Sequence, residues 1–177
     1  MPFNRNLAVE YARKYAMSPN PDYPAFHSDC ASFVSQAMLA GGWTMIGGGN
    51  ATDYRSDAVW WWGKGQPITV PLIGATLKEA PIASHTWGGA ANFSRFIRIS
   101  RRGTAAGDLS ELQIGDVIQI AKGPTEPFHS MIVTRRDAGT GKLYVSYHST
   151  NRLDYPLDSV QTLLPTSQNR YLYWKIL

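Results

Sequence analysis

Apolar and polar positions follow two rhythms along this chain, a helical one near the start and a strand-like one near the end. Leu7, Ala8, Tyr11, Ala12, Tyr15 and Ala16 recur at helical spacing, with Glu10, Arg13 and Lys14 on the other side. This predicts an amphipathic helix over residues 6–17, ended by the turn-forming "SPNPDYP" of residues 18–24. A second helix is predicted over residues 30–40, with Cys30, Phe33, Val34, Ala37 and Met38 as its apolar stripe. Ser28 or Asp29 can cap its start, and Gly41-Gly42 stop it. A third is expected over residues 87–97, burying Trp87, Ala91, Phe93 and Phe96. From Leu112 the pattern turns to strands: "QIGDVIQIA", "HSMIVTRR" and "KLYVSYHS", the last two joined by the hairpin signal "DAGTG", then "RYLYWKIL".

Helices first and strands second indicate an α+β class with an antiparallel sheet. The 177 residues fit one domain: helical over about 1–42, a Trp/Gly-rich excursion over about 43–105, and a sheet over about 112–177. So many aromatics would be costly to expose, so the excursion is expected to be ordered. Four arginines fall in "SRFIRISRRG" (Arg95, Arg98, Arg101 and Arg102) within a net charge of +4. Such a run is either a solvated face or a contact for an anionic partner. No nucleic-acid module accompanies it, so nucleic acid is not expected as a partner. No apolar run is long enough to span a bilayer. Residues 1–17 carry Glu10, Arg13 and Lys14 where a secretory signal would be apolar, so no signal peptide is expected.

One cysteine excludes an internal disulfide and leaves a core thiol or a reactive one. A thiol in the first turn of a helix meets the positive end of the helix dipole and unpaired backbone N–H groups. Both favour the thiolate, and the same N–H groups can hold an oxyanion. Cys30 is thus a candidate nucleophile, the alternative being that it begins the buried stripe of its helix. Of the four histidines (His27, His85, His129 and His148), His129 opens one strand and His148 ends the next. A hairpin centred between Gly139 and Thr140 sets residue 129 opposite 150, with 148 a diagonal neighbour on the same face, roughly 7–8 Å away. Two imidazoles could then meet, one acting as base and the other orienting it. A slip of one residue would bring Asn151 opposite His129, which makes Asn151 the reserve for the third position. His27 and Cys30 also form an H-x-x-C pair, but with no second thiol or carboxylate cluster no metal is expected.

"NLAVEYARKYAMSPNPDYPAF", "DCASFVSQAMLAGGW", "GDVIQI", "HSMIVT" and "YHSTN", in this order, resemble the putative amidase domain family over essentially the whole chain. That family belongs to the papain-like cysteine hydrolases and is related to bacterial cell-wall endopeptidases. The resemblance implies a helix carrying Cys30 packed on an antiparallel sheet carrying His129, with His148 at the third position. The chain has Ala31-Ser32 where the family commonly has Thr-Asn. It also lacks an upstream glutamine for the oxyanion hole, leaving Tyr23, the Ser28 hydroxyl or a backbone N–H as second donor. Asp29 is expected to cap the helix or to support the site.

The expected reaction is amide hydrolysis through an acyl-enzyme, without a cofactor, in peptidoglycan stem peptides. Trp60, Trp61 and Trp87 are candidates for a substrate groove, the alternative being core packing. Such an enzyme without a signal peptide is expected to act in the periplasm or cell wall after non-classical delivery. It would be a monomeric toxin or lysin, or a domain cut from a longer secreted protein, and a toxin would face an immunity protein. Two rivals remain: a deamidase or acyltransferase acting on protein, and a wall-binding module with a silent site.

Overall fold

The computed structural model describes residues 2–24, 26–48, 53–63, 68–70, 75–77 and 83–177. It has the predicted mixed architecture, helices at the N-terminal end and an antiparallel sheet at the C-terminal end. Helix α1 (Arg5–Tyr15) starts where the Asn4 side chain accepts the Leu7 N–H, and α2 (Cys30–Ala40) stops at Gly41. The two helices pack closely: a Cβ at Gly41 would lie 2.3 Å from the Phe3 ring and 3.0 Å from the Ala8 methyl. The third predicted helix is two pieces, α3 (His85–Gly88) and α4 (Ala90–Ile99), broken at Gly89.

A short hairpin pairs β1 (Ile68–Val70) with β2 (Ala75–Leu77). Other parts of the predicted ordered excursion, including residues 49–52 and 64–67, lie outside the described residues. The main sheet comprises β3 (Gly103–Ala105), β4 (Val117–Lys122), β5 (Pro127–Arg136), β6 (Leu143–Tyr147), β7 (Arg152–Pro156) and β8 (Asn169–Ile176). Its order is β3-β8-β4-β5-β6-β7, antiparallel throughout, so the last strand lies inside the sheet. Helix α5 (Leu157–Leu163) follows β7.

Alternation along the strands gives the sheet two buried faces. Val117, Ile132, Trp174 and Ile176 meet α1, α2 and α4 through Ala8, Ala12, Phe33, Val34, Phe93 and Phe96. Ile118, Ile120, Met131, Val133, Val145 and Tyr147 form a second cluster with Leu157 and Val160 of α5. Trp60 and Trp87 belong to the first core at 0% exposure. Their indole N–H groups donate to the Ser35 and Ser32 hydroxyls, and buried Trp61 donates to Asp53. Of the two readings given for these indoles, Trp60 and Trp87 follow core packing, and Trp61 is buried against Asp53 outside the core clusters.

A buried ion pair ties the chain ends to this frame. Asp116, wholly buried, accepts from Arg5 at 2.6 Å and from the backbone N–H groups of Gln113 and Ile176. The arginine run is mostly occupied as well. Arg95 pairs with Asp57 and Glu126, Arg102 lies over Trp43, Trp60 and Phe96, and Arg98 lies over Trp174. No described helix is long and apolar enough to cross a membrane.

Candidate active site

Cys30 is the first residue of α2, and α2 lies on β5 with its apolar stripe in the first core. That packing carries the thiol to the start of β5, beyond the point where β6 ends. Sγ is 3.9 Å from the Phe128 carbonyl oxygen, and the Ser130 N–H points at it from the other side. These two backbone groups flank His129. The sulfur thus lies against the backbone of the residue predicted as its base, although 99 positions separate the two. No hydrogen bond joins Sγ to the imidazole.

Burial dominates the protonation of both groups. It raises the Cys30 thiol, opposed by the Ser130 and Ala31 N–H groups and the Ser28 hydroxyl, while the Asp29 charge adds a further rise. The expectation that the helix N-terminus alone would favour the thiolate is corrected, because desolvation is the larger effect at a residue 2% exposed. Burial also lowers His129 to about 4. Its ring packs edge-on against Tyr147, centroids 4.9 Å apart. The resting pair is therefore thiol and neutral imidazole, the protonation from which a general base takes the thiol proton.

His148 is not where the hairpin reading set it. The register begins as predicted, with Arg136 opposite Leu143 and Arg135 opposite Tyr144. A bulge at Thr134 then shifts the pairing by one, giving Val133–Val145 and Ile132–Ser146. Carried two residues further, this register sets His148 opposite Ser130 on the helix side, and His129 shares the side of Tyr147. His148 is 2% exposed, stacks on Phe33 of α2 at 4.1 Å, and uses both ring nitrogens elsewhere. Nδ1 is 2.5 Å from Asp29 Oδ2, and Nε2 donates to the Tyr15 carbonyl oxygen at 2.8 Å. The same shift overturns the alternative pairing of Asn151 with His129.

Asp29 holds the position before the helix but makes no cap bond, because its carboxylate turns to His148. Its backbone N–H donates to Ser149 Oγ at 3.3 Å. Ser28 is exposed beside the thiol. Tyr23 packs against Trp62 and Trp87. A cleft of 340 Å³ opens next to Asp29, lined by Tyr23, Phe26, His27, His148 and Asn151 among others. His85 lies apart, against Tyr54 at 5.0 Å. The site elements missed in the sequence were the Asp29–His148 pair and its Tyr15 anchor. The adjacent Asp-Cys was the available signal, read as a cap or as support for the site without a named partner.

Residues 2–173 match the family described as "putative amidase domain", and the chain belongs to that family. The family's description points to amide hydrolysis as the chemistry to consider. It is 30% identical over 167 residues to the uncharacterized protein YjcM of Bacillus subtilis (strain 168), covering 86% of this chain and 32% of that protein. It is 28% identical over 157 residues to the uncharacterized protein YhbB of the same strain, covering 86% and 44%. The chain thus spans less than half the length of these curated relatives. No solved structure matches.

Proposed function

We propose that the chain is a papain-like cysteine amidase with Cys30 as nucleophile and His129 as base, acting on peptidoglycan stem peptides. The observation that carries this reading is the thiol at the head of α2, lodged against the backbone groups that flank His129. The cell-wall substrate follows from the resemblance to cell-wall endopeptidases, and the site of action is then the periplasm or cell wall.

In the reaction, neutral His129 takes the thiol proton as sulfur attacks the amide carbonyl carbon. The C–N bond breaks when the imidazolium returns that proton to the leaving nitrogen, leaving a thioester on Cys30 and a free amine. Water, deprotonated by His129, then attacks the thioester and releases the carboxylic acid and the thiol. First-turn N–H groups of α2 face the oxyanion. The free protein has no Cys30–His129 hydrogen bond, and this reading requires one to form on substrate binding.

The test is digestion of purified peptidoglycan by the protein and by Cys30→Ala, with fragments identified by mass spectrometry. New amine and carboxyl ends made only by the intact protein support the amidase and name the bond. Absence of turnover by both, with wall material still bound, overturns it in favour of a binding module.

A further inference from the structure

We infer that His148 is a positioning residue for the nucleophile: it holds the Asp29 carboxylate away from Cys30 and compensates its charge. The inference rests on the reading of Cys30 as nucleophile and assigns His148 a role on the thiol's side of the site.

The hydrogen bonds determine how many protons the pair holds. The Tyr15 carbonyl oxygen can only accept, so His148 Nε2 carries a hydrogen. A bond between Nδ1 and Asp29 Oδ2 at 2.5 Å needs a second proton between them. A proton shared with the imidazole reduces the charge that Asp29 presents to Cys30 without abolishing it. Asp29 needs this partner, because its other oxygen, Oδ1, is buried and has no partner among the described residues. The neighbouring residue is Cys30, on whose thiolate an uncompensated carboxylate would act unfavourably.

The geometry of the grip is fixed from three directions. Phe33 stacks beneath the imidazole, the Tyr15 carbonyl at the end of α1 orients it, and the register after the bulge aims it at the helix side. The other titratable groups around the pair are Tyr11 and Tyr15 of α1, Tyr23 and His27 beside the cleft, and Cys30 itself. None of these hydrogen-bonds the Asp29 carboxylate, which His148 alone holds among the described residues.

The test is the rate at which iodoacetamide alkylates the protein across pH, which reports on Cys30 alone because it is the single cysteine of the chain. His148→Phe keeps a ring on Phe33 and removes both polar bonds, leaving Asp29 charged. Its alkylation midpoint should rise by about one pH unit, which is roughly tenfold slower reaction below the midpoint. Adding Asp29→Asn to that variant removes the charge and should return the profile to the wild-type position. A wild-type profile for His148→Phe would overturn the inference. So would a slow single variant that Asp29→Asn fails to relieve, since that marks a purely structural role. His148→Gln, which can still donate to Tyr15, replaces the phenylalanine variant if circular dichroism shows it unfolded. Alkylation reads the thiol whether or not an amide is cut, so loss of the amidase reading, tested by Cys30→Ala, is a separate outcome.

Discussion

Acidifying the protein should unfold it partly through His129, and the size of that effect follows from the site. In the unfolded chain this imidazole titrates at its ordinary 6.5, whereas burial lowers it to about 4 in the fold. Between those values the unfolded state takes up a proton that the folded state refuses, so stability falls as pH falls through the window and levels off below it. At about 1.4 kcal/mol per pH unit, the full gap is worth about 3 kcal/mol. His129 retains partial exposure, and solvent screening trims this to about 2 kcal/mol. The perturbation is His129→Gln, which removes the titration while filling similar space. Its lost packing on Tyr147 shifts stability equally at every pH, so only the slope is diagnostic. Urea unfolding of both proteins, from neutral pH down to about 4, should show the wild type losing about 2 kcal/mol more than the variant. Parallel curves would refute the reasoning and mean that His129 protonates in the fold as readily as in water. The acid limb of kcat/KM should likewise extend well below pH 6.5.

Other expectations concern the frame around the site. Asp116→Ala leaves Arg5 and two backbone N–H groups without their acceptor and should cost about 3 kcal/mol in chemical denaturation. Trp60→Ala opens the helix-side core and should cost about 3–5 kcal/mol. Measured at a temperature where the variant stays folded, it should leave substrate KM unchanged, whereas a groove-lining indole would raise it. Gly41→Ala forces a methyl into the Phe3 ring and should lower stability by about 1–3 kcal/mol, seen as a drop in Tm.

Much of this was legible in the chain. The α2 limits and the hairpin strands follow from period and turn chemistry, because local rules govern them. The first turn of pairing beside "DAGTG" was legible for the same reason. The bulge at Thr134 was not: no residue there signals an extra position, and the shift is set by packing on two buried faces. That single displacement moved His148 from the base to the nucleophile's neighbour. Strand β7 and helix α5 were also missed, since "RLDYP" and "LDSVQTL" are short and mixed in pattern. The burial of Trp60 and Trp87 could not be told from groove lining, because a large aromatic suits either until its neighbours are known. Nothing in "GDV" marks Asp116, and only the return of Arg5 and Ile176 reveals it as an anchor.

The inner position of β8 has a consequence for the order of assembly. Strand β4 lies between β5 and β8, and β3 pairs with β8. A chain leaving the ribosome therefore holds Cys30, His129 and His148 long before β4 gains its second partner. Asp116 also waits on Ile176, so the final eight or so residues complete the sheet and its buried ion pair together. Such long-range closure makes for slow folding. It also means that a chain cut short before residue 169 carries every reactive group of the site while lacking the strand that completes the sheet beneath them.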